Sequence, residues 1–317
     1  MIRISVVIPT CNRPTELRAC LDGFMAQSAP RESFEVIVID DGSRENMEPI
    51  ALQFDASMNI VYRRIENSGP SVARNLAIDQ AAAPLLLLYD DDLSPAPDMI
   101  ESCLQFHESW PEEKHAALLR FRPAPAIGND LLVRWAFPRM YPFPSAAGVY
   151  DWRAFWSGTL TCKKTIFRFG RFSKEFRSLE DAELALRLTR RLDLRIHFER
   201  RTMGLYTRPL TFTQCLARSY TRGYYDYRLD RKYPGAFGSQ ISSEADRFLV
   251  PEAELKGLIA GAQALLETRP ELGSPGFRML SALWTRADVH AHADGWRAAC
   301  DGNRPDPPGT AGAFLKY

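Results

Sequence analysis

A doubly wound α/β fold with a mostly parallel sheet is the class this sequence points to, on three observations. From residue 4 to about 90, short apolar runs alternate with longer mixed segments, the rhythm of strand and helix. The runs are almost continuously apolar, as strands are when helices cover both faces of a parallel sheet. Polar clusters fall where those runs end, and open sheets of this class bind ligands beyond the carboxyl ends of their strands.

The elements follow in order. Ile4 to Ile8 is the first strand, and Thr15 to Gln27 a helix with Leu17, Cys20, Leu21 and Phe24 at i, i+3, i+4 and i+7. Those four form one apolar face, and Pro14 and Thr15 stand where a helix starts. Glu35 to Ile39, Ile60 to Arg63 and Leu85 to Tyr89 are strands, separated by helices over Asn46 to Asp55 and Ser71 to Ala81. Beyond residue 93 recurrent prolines imply longer loops and a mixed sheet. Ala154 to Arg191 is a second unit, in which Phe155-Trp156-Ser157-Gly158 leads to Phe169-Gly170-Arg171-Phe172 and Leu179-Glu180-Asp181, before a helix with Leu184 and Leu188 on one side. Arg195-Ile196-His197-Phe198 is a strand, with His197 structural. Helices are expected over Thr213 to Tyr227, Pro251 to Thr268 and Pro275 to Ala299, then a tail from Asp301. The organisation is 1–210 as one domain (halves 1–93 and 94–210), 211–300 as a helical extension and 301–317 as a flexible tail.

Composition narrows the class. With 317 residues, 45% apolar and 25% charged, the chain buries a substantial core, which excludes disordered and collagen-like chains. The formal net charge of +1 gives no global pull towards nucleic acid, so none is expected as a partner. No apolar run approaches the roughly 18 to 20 residues of a membrane span. The N-terminal run has no small-residue cleavage site after it, so a secretory signal is not expected. Six scattered cysteines without a C-x-x-C pair fit reduced thiols in a cytoplasmic protein.

The strand ends carry the chemistry. Strand one ends in Pro9-Thr10-Cys11-Asn12-Arg13, strand two in Asp40-Asp41-Gly42-Ser43 and strand four in Asp90-Asp91-Asp92. A helix opens with Ser68-Gly69-Pro70-Ser71-Val72-Ala73-Arg74-Asn75. Pro9 to Arg13 holds no glycine, which disfavours a nicotinamide or flavin site. Three adjacent carboxylates repel one another unless a cation joins them. Oxygen-only ligands favour Mg²⁺ or Mn²⁺, which take one or two protein carboxylates and complete their shell with phosphates and water; a solvated acidic turn is the competing reading. Asp40 could accept from a base or ribose, and Asp41 suits a helix cap or turn equally well. Glu180-Asp181 suits proton transfer, or only the positive end of the helix it opens.

Taken in order, Ser5-Val6-Val7-Ile8-Pro9-Thr10-Cys11-Asn12-Arg13, Val38-Ile39-Asp40-Asp41-Gly42-Ser43, Gly69-Pro70-Ser71-Val72-Ala73-Arg74-Asn75, Asp90-Asp91-Asp92 and Glu180-Asp181 resemble the motifs of family 2 glycosyltransferases over roughly residues 3 to 210. The resemblance implies a GT-A nucleotide-diphospho-sugar transferase fold: α/β, with a Rossmann-like, mostly parallel sheet flanked by helices, and here a mainly helical C-terminal extension. It implies metal-dependent transfer of a sugar, with inversion, from a nucleotide-sugar donor, first of all a UDP-sugar, as in polysaccharide biosynthesis. Nucleotide contacts are implied for Pro9, Thr10, Asn12, Arg13, Asp40, Arg74 and Asp91, metal ligation by Mn²⁺ or Mg²⁺ for Asp92 and Asp90, the catalytic base for Asp181 and acceptor orientation for Glu180. It further implies a hexose or N-acetylhexosamine as the transferred group and, as acceptor, a hydroxyl of a glycan, a lipid-linked glycan or a small molecule.

Two departures stand out. Cys11 replaces an aromatic or His frequent in relatives. Gly204-Leu205-Tyr206-Thr207-Arg208 lacks the metal-binding His that many carry some 25 residues past the base, so the metal is held by Asp92 and the diphosphate, or Arg208 supplies part of its charge. Residues 200–233 hold eight basic side chains against two acidic ones, interleaved with Tyr220, Tyr224, Tyr225, Tyr227 and Tyr233. This suits sugar stacking, an anionic acceptor or peripheral contact with the inner face of the membrane, against the alternative of a solvated helix face over packed tyrosines. The competing functions are a catalytically degenerate nucleotide-sugar-binding protein and a D-x-D phosphatase, the latter leaving the first, second and last motifs unexplained.

Overall fold

The computed structural model describes residues 1–235, 257–264 and 273–303. These form two compact units, residues 1–129 with 140–209, and residues 130–139 with the described part of 210–316.

In the first unit, β1 (Ile4–Thr10), α1 (Pro14–Met25), β2 (Phe34–Asp41), α2 (Glu48–Leu52), β3 (Ile60–Ile65), α3 (Pro70–Gln80) and β4 (Leu85–Tyr89) alternate as the apolar runs imply. Strands β3, β2, β1 and β4 are adjacent and parallel, with Val6 beside Val36 on one flank and Leu87 on the other. β1 and β2 are buried throughout, and α1 buries the four residues its periodicity marks, Leu17, Cys20, Leu21 and Phe24. Pro9 is tolerated in this central strand because the β1 to β4 ladder ends at Val7 and Leu88, so its missing N–H leaves no gap on that flank.

After β4 come β5 (Leu93–Ser94), α4 (Met99–Ser109), β6 (His115–Pro123), α5 (Leu131–Met140), β7 (Val149–Tyr150), β8 (Thr159–Lys163), α6 (Glu180–Leu192) and β9 (Arg195–Tyr206). The sheet runs β3-β2-β1-β4-β8-β6-β9-β5, with β7 on β9. Beyond β4 it is mixed: β8 is antiparallel to β4 and β6, whereas β9 is parallel to β6. β9 extends well past the expected Arg195 to Phe198, resuming its register on β6 at Met203 after an interruption following Glu199. His197 has a structural partner, His115, at 2.8 Å, and the Trp110 ring lies against both imidazoles.

The second unit contains α5 up to Arg139, α7 (Phe212–Lys232), a helical stretch at 257–264 and α8 (Gly273–Cys300). Trp135 anchors α5 there, packing on Trp284 and Phe212. α7 and α8 cross at two glycines: a Cβ on Gly223 would lie 1.9 Å from the His292 carbonyl oxygen, and one on Gly295 1.8 Å from that of Tyr220. Tyr220, Tyr224, Tyr225 and Tyr233 are buried and Tyr227 is half-buried, so four of the five pack the unit instead of offering a stacking surface; Arg218, Arg222, Arg228, Arg231 and Lys232 of α7 are exposed. His292 Nε2 meets buried Asp226 at 2.8 Å. The rest of the helix expected over Pro251 to Thr268, and the tail from residue 304, lie outside the described residues.

Candidate active site

The carboxyl ends of β1 and β4 meet in a network of opposite charges. Asn12 has a φ of 56°, a left-handed conformation that Asn adopts more readily than most residues. It turns the chain so that its N–H donates to Ser43 Oγ at 2.8 Å and its Oδ1 accepts from the Arg44 N–H at 2.8 Å. Arg13 then points back into the site. Its Nη1 donates to Asp91 Oδ1 at 2.7 Å and reaches Asp92 Oδ2 at 3.3 Å. Buried Thr10 donates to Asp91 Oδ2 at 2.7 Å. Burial drives the Asp91 carboxyl up, against the pull of Arg13. Asp92 is pushed up to about 6 by burial and by Asp90 and Asp91, with Arg13 and, more weakly, Arg208 opposing.

At the end of β2 the two acids have different tasks. Asp40 is fully buried; its Oδ1 accepts the Ser43 N–H at 2.9 Å and its Oδ2 the Tyr62 hydroxyl at 2.9 Å. The Arg64 guanidinium lies 3.8 Å from Asp40. Asp41 fastens the loop before α3, accepting from the N–H groups of Ser68 at 2.6 Å and Gly69 at 3.0 Å, which realises its turn and cap reading. Gly42 is required between them and the loop: its φ is 73°, and a Cβ there would stand 2.7 Å from the Asn67 nitrogen.

The third cluster joins β4 to α6 through Arg74. Nη2 donates to Asp90 Oδ1 at 2.8 Å and Nη1 to Glu180 Oε1 at 2.7 Å. Asp90 fits against Gly158, where a Cβ would meet its carboxylate oxygen at 2.4 Å, and the Asp90 N–H donates to the Gly158 carbonyl at 2.9 Å. Asp181 follows on α6, its Oδ1 accepting the Ala182 N–H at 2.8 Å and its Oδ2 a longer contact from the Ser157 N–H at 3.4 Å. Burial and then the neighbouring Glu180 push the Asp181 carboxyl up to about 7, with Arg74 opposing. A carboxylate poised there takes a proton at neutral pH. The preceding Leu179 has a φ of 61°, which costs a residue of this shape about 1–2 kcal/mol and marks a constrained turn.

The three clusters form one rim, linked by Asn12 to Ser43 and by consecutive Asp90, Asp91 and Asp92. Pro9 lies buried in β1. Thr10, Arg13 and Arg74 are engaged with protein carboxylates, and Asp40 with the Ser43 and Tyr62 donors. Sequence reasoning missed Tyr62 and Arg64, although their i, i+2 spacing on β3 places both on one face, and missed Gly158 as the surface against which Asp90 rests. Among the described residues no group of three or more His, Cys, Asp or Glu side chains could hold a metal by itself. The donors present, Asp90 with a side chain 36% exposed and Asp92 with 8%, are hard oxygens. They fit Mg²⁺ or Mn²⁺ arriving with a diphosphate that completes the shell.

Residues 5–113 match the family model described as "Glycosyl transferase family 2". A validoxylamine A glucosyltransferase of Streptomyces hygroscopicus is 28% identical over 214 residues, which is 58% of this chain and 51% of that protein. The chain spans about half the length or less of the curated relatives it matches. Among solved structures, mannosyltransferase PcManGT from Pyrobaculum calidifontis, in complex with GDP-Man and Mn²⁺, superposes with a TM-score of 0.62 at 18% identity, covering 93% of this chain and 87% of that one. S. aureus TarS 1–349 in complex with UDP-GlcNAc gives 0.56 at 16% identity, covering 95% and 93%. The fold is that of these GT-A transferases. Among the described residues no helix is long and apolar enough to cross a membrane.

Proposed function

We propose that this protein, whose residues 5–113 match the glycosyl transferase family 2 model, is an inverting glycosyltransferase that moves a hexosyl or N-acetylhexosaminyl group from a nucleotide diphosphate sugar to an acceptor hydroxyl. The observation that carries it is the junction at Arg74, which draws the acid-bearing turn of α6 to the acidic end of β4. Donor and base chemistry thus share one rim.

Thr10, Asn12, Arg13, Asp40 and Asp91 form the nucleotide side. An acceptor carboxylate at Asp40 beside the Arg64 guanidinium complements a base edge carrying an N–H next to a carbonyl, which uracil and guanine share. A UDP-sugar is our first assignment, supported by the UDP-GlcNAc held by TarS; GDP-Man in PcManGT keeps guanosine in the test. Asp92 and Asp90 would hold Mg²⁺ or Mn²⁺, which supplies charge to the departing diphosphate when bound. Asp181 takes the proton of the acceptor hydroxyl as that oxygen attacks the anomeric carbon, and Glu180 orients the acceptor side. The basic side chains of residues 200–233 suit an anionic acceptor or an anionic membrane surface.

Thermal-shift titration with UDP, GDP, CDP and TDP, each with Mn²⁺ and with EDTA, tests the donor side, because a ligand of the native state raises the melting temperature. A metal-dependent rise with UDP is expected. No rise with any of the four would overturn the donor reading, and a rise with GDP alone would replace the first assignment.

A further inference from the structure

Arg74 is placed to do something other than bind nucleotide. Its side chain is only 5% exposed. One terminal nitrogen is committed to Asp90 and the other to Glu180, while the guanidinium carbon sits 5.7 Å from the centroid of the Phe172 ring. Its Nε is buried without a hydrogen-bond partner. Drawing this guanidinium out to a phosphate would leave Glu180, whose side chain is 11% exposed, without its Arg74 partner, and breaking a buried pair on one side is strongly unfavourable.

What Arg74 holds is a turn that needs holding. Leu179, the N-cap of α6, has left-handed backbone and makes no side-chain capping hydrogen bond. Conformations of this kind persist where surrounding structure over-determines them. The Ser157 N–H reaches Asp181 only at 3.4 Å, whereas the Arg74 to Glu180 bond is 2.7 Å. The forked guanidinium satisfies two acids from segments far apart in the chain, a geometry that a lysine ammonium reproduces only in part.

We propose that Arg74 is a positioning residue: it ties the left-handed turn bearing Asp181 to the strand-end acid Asp90, and it does not contact the nucleotide. The role in transfer rests on the sugar-transfer reading above; the structural tie stands independently of it.

Two measurements on the full chain test this with Arg74→Met and Arg74→Lys. The first is hydrogen exchange read on a peptide covering residues 177–185. Faster exchange at 180–183, out of proportion to the fall in melting temperature, is expected in Arg74→Met and is partly restored in Arg74→Lys. The second is nucleoside diphosphate release from UDP-glucose, UDP-N-acetylglucosamine and GDP-mannose with Mn²⁺. There kcat should fall about 100-fold in Arg74→Met, as for a reacting group displaced by about 1 Å, with the donor KM held within about twofold. Unchanged exchange, or a raised KM at constant kcat, overturns the proposal. Should Arg74→Met fail to fold, Glu180→Gln takes its place: it must loosen the same amides, and effects that simply add to those of Arg74→Lys overturn the tie. If the parent protein releases nucleotide from none of the three donors, the sugar-transfer reading fails, and exchange alone decides the positioning claim.

Discussion

Asp181 shows how one side chain acquires a role from its surroundings. Desolvation and the adjacent Glu180 raise its carboxyl to about 7, against the lowering effect of Arg74. As the base we propose, it would work only when deprotonated, so kcat/KM should fall with decreasing pH below about 7, roughly tenfold per unit, and level off above it. Glu180→Gln removes the neighbouring negative charge and should move that inflection downwards. A pH profile of nucleotide release checks both, and an inflection unaffected by Glu180→Gln would detach Asp181 from it. Asp40 and Asp41 make a parallel point: identical, consecutive and buried, they differ entirely in what they accept. One organises the end of β2 with Tyr62 and Ser43, and the other pins the loop before α3.

Two element pairs have consequences for stability. α4 is tied to the sheet where His107 Nε2 meets Thr161 Oγ at 2.9 Å, while the Thr161 hydroxyl donates to the Leu86 carbonyl at 2.9 Å. Nε2 must therefore carry the proton, and Nδ1 is left buried without a partner. Burial lowers the imidazole from 6.5 to about 3. The unfolded chain then binds the proton more readily, so stability is complete above pH 6.5 and declines as pH falls, by about 1.4 kcal/mol for each unit between those values. Chemical denaturation between pH 7 and 5 should show this slope, reduced in His107→Gln. In the second unit, the α7 to α8 crossing leaves no room for a side chain at Gly223. Gly223→Ala should destabilise that unit by about 1–3 kcal/mol, as overpacking does, seen as an earlier transition in urea; an unchanged midpoint would mean that the helices do not approach so closely.

At the scale of the molecule, much of the first unit is legible in the sequence because its strands are locally encoded. Continuous apolar runs bounded by polar clusters place β1 to β4 within a few residues, and α1 buries the four residues its period marks. The rest depended on long-range partners. Nothing local shows that Gly158 returns beside Asp90, since that follows from the antiparallel β4 to β8 register. Nothing local shows that Arg13 meets Asp91 and Asp92 or that Arg74 meets Asp90 and Glu180, since folding brings those carboxylates to them, and the sequence leaves the tyrosines after residue 200 between a stacking surface and a packed helix until α8 lies against α7. α5 joins the second unit through the packing of Trp135 on Trp284, a contact invisible in its own composition. We propose that Asp181 on α6 deprotonates an acceptor hydroxyl as it attacks a donor held at the end of β4, and Asp181→Asn is the direct test. With the donor identified by thermal shift, turnover should fall by about 10²–10⁴ while donor affinity, measured by calorimetry, stays within twofold. Turnover retained in Asp181→Asn would contradict it and move the proton acceptor elsewhere.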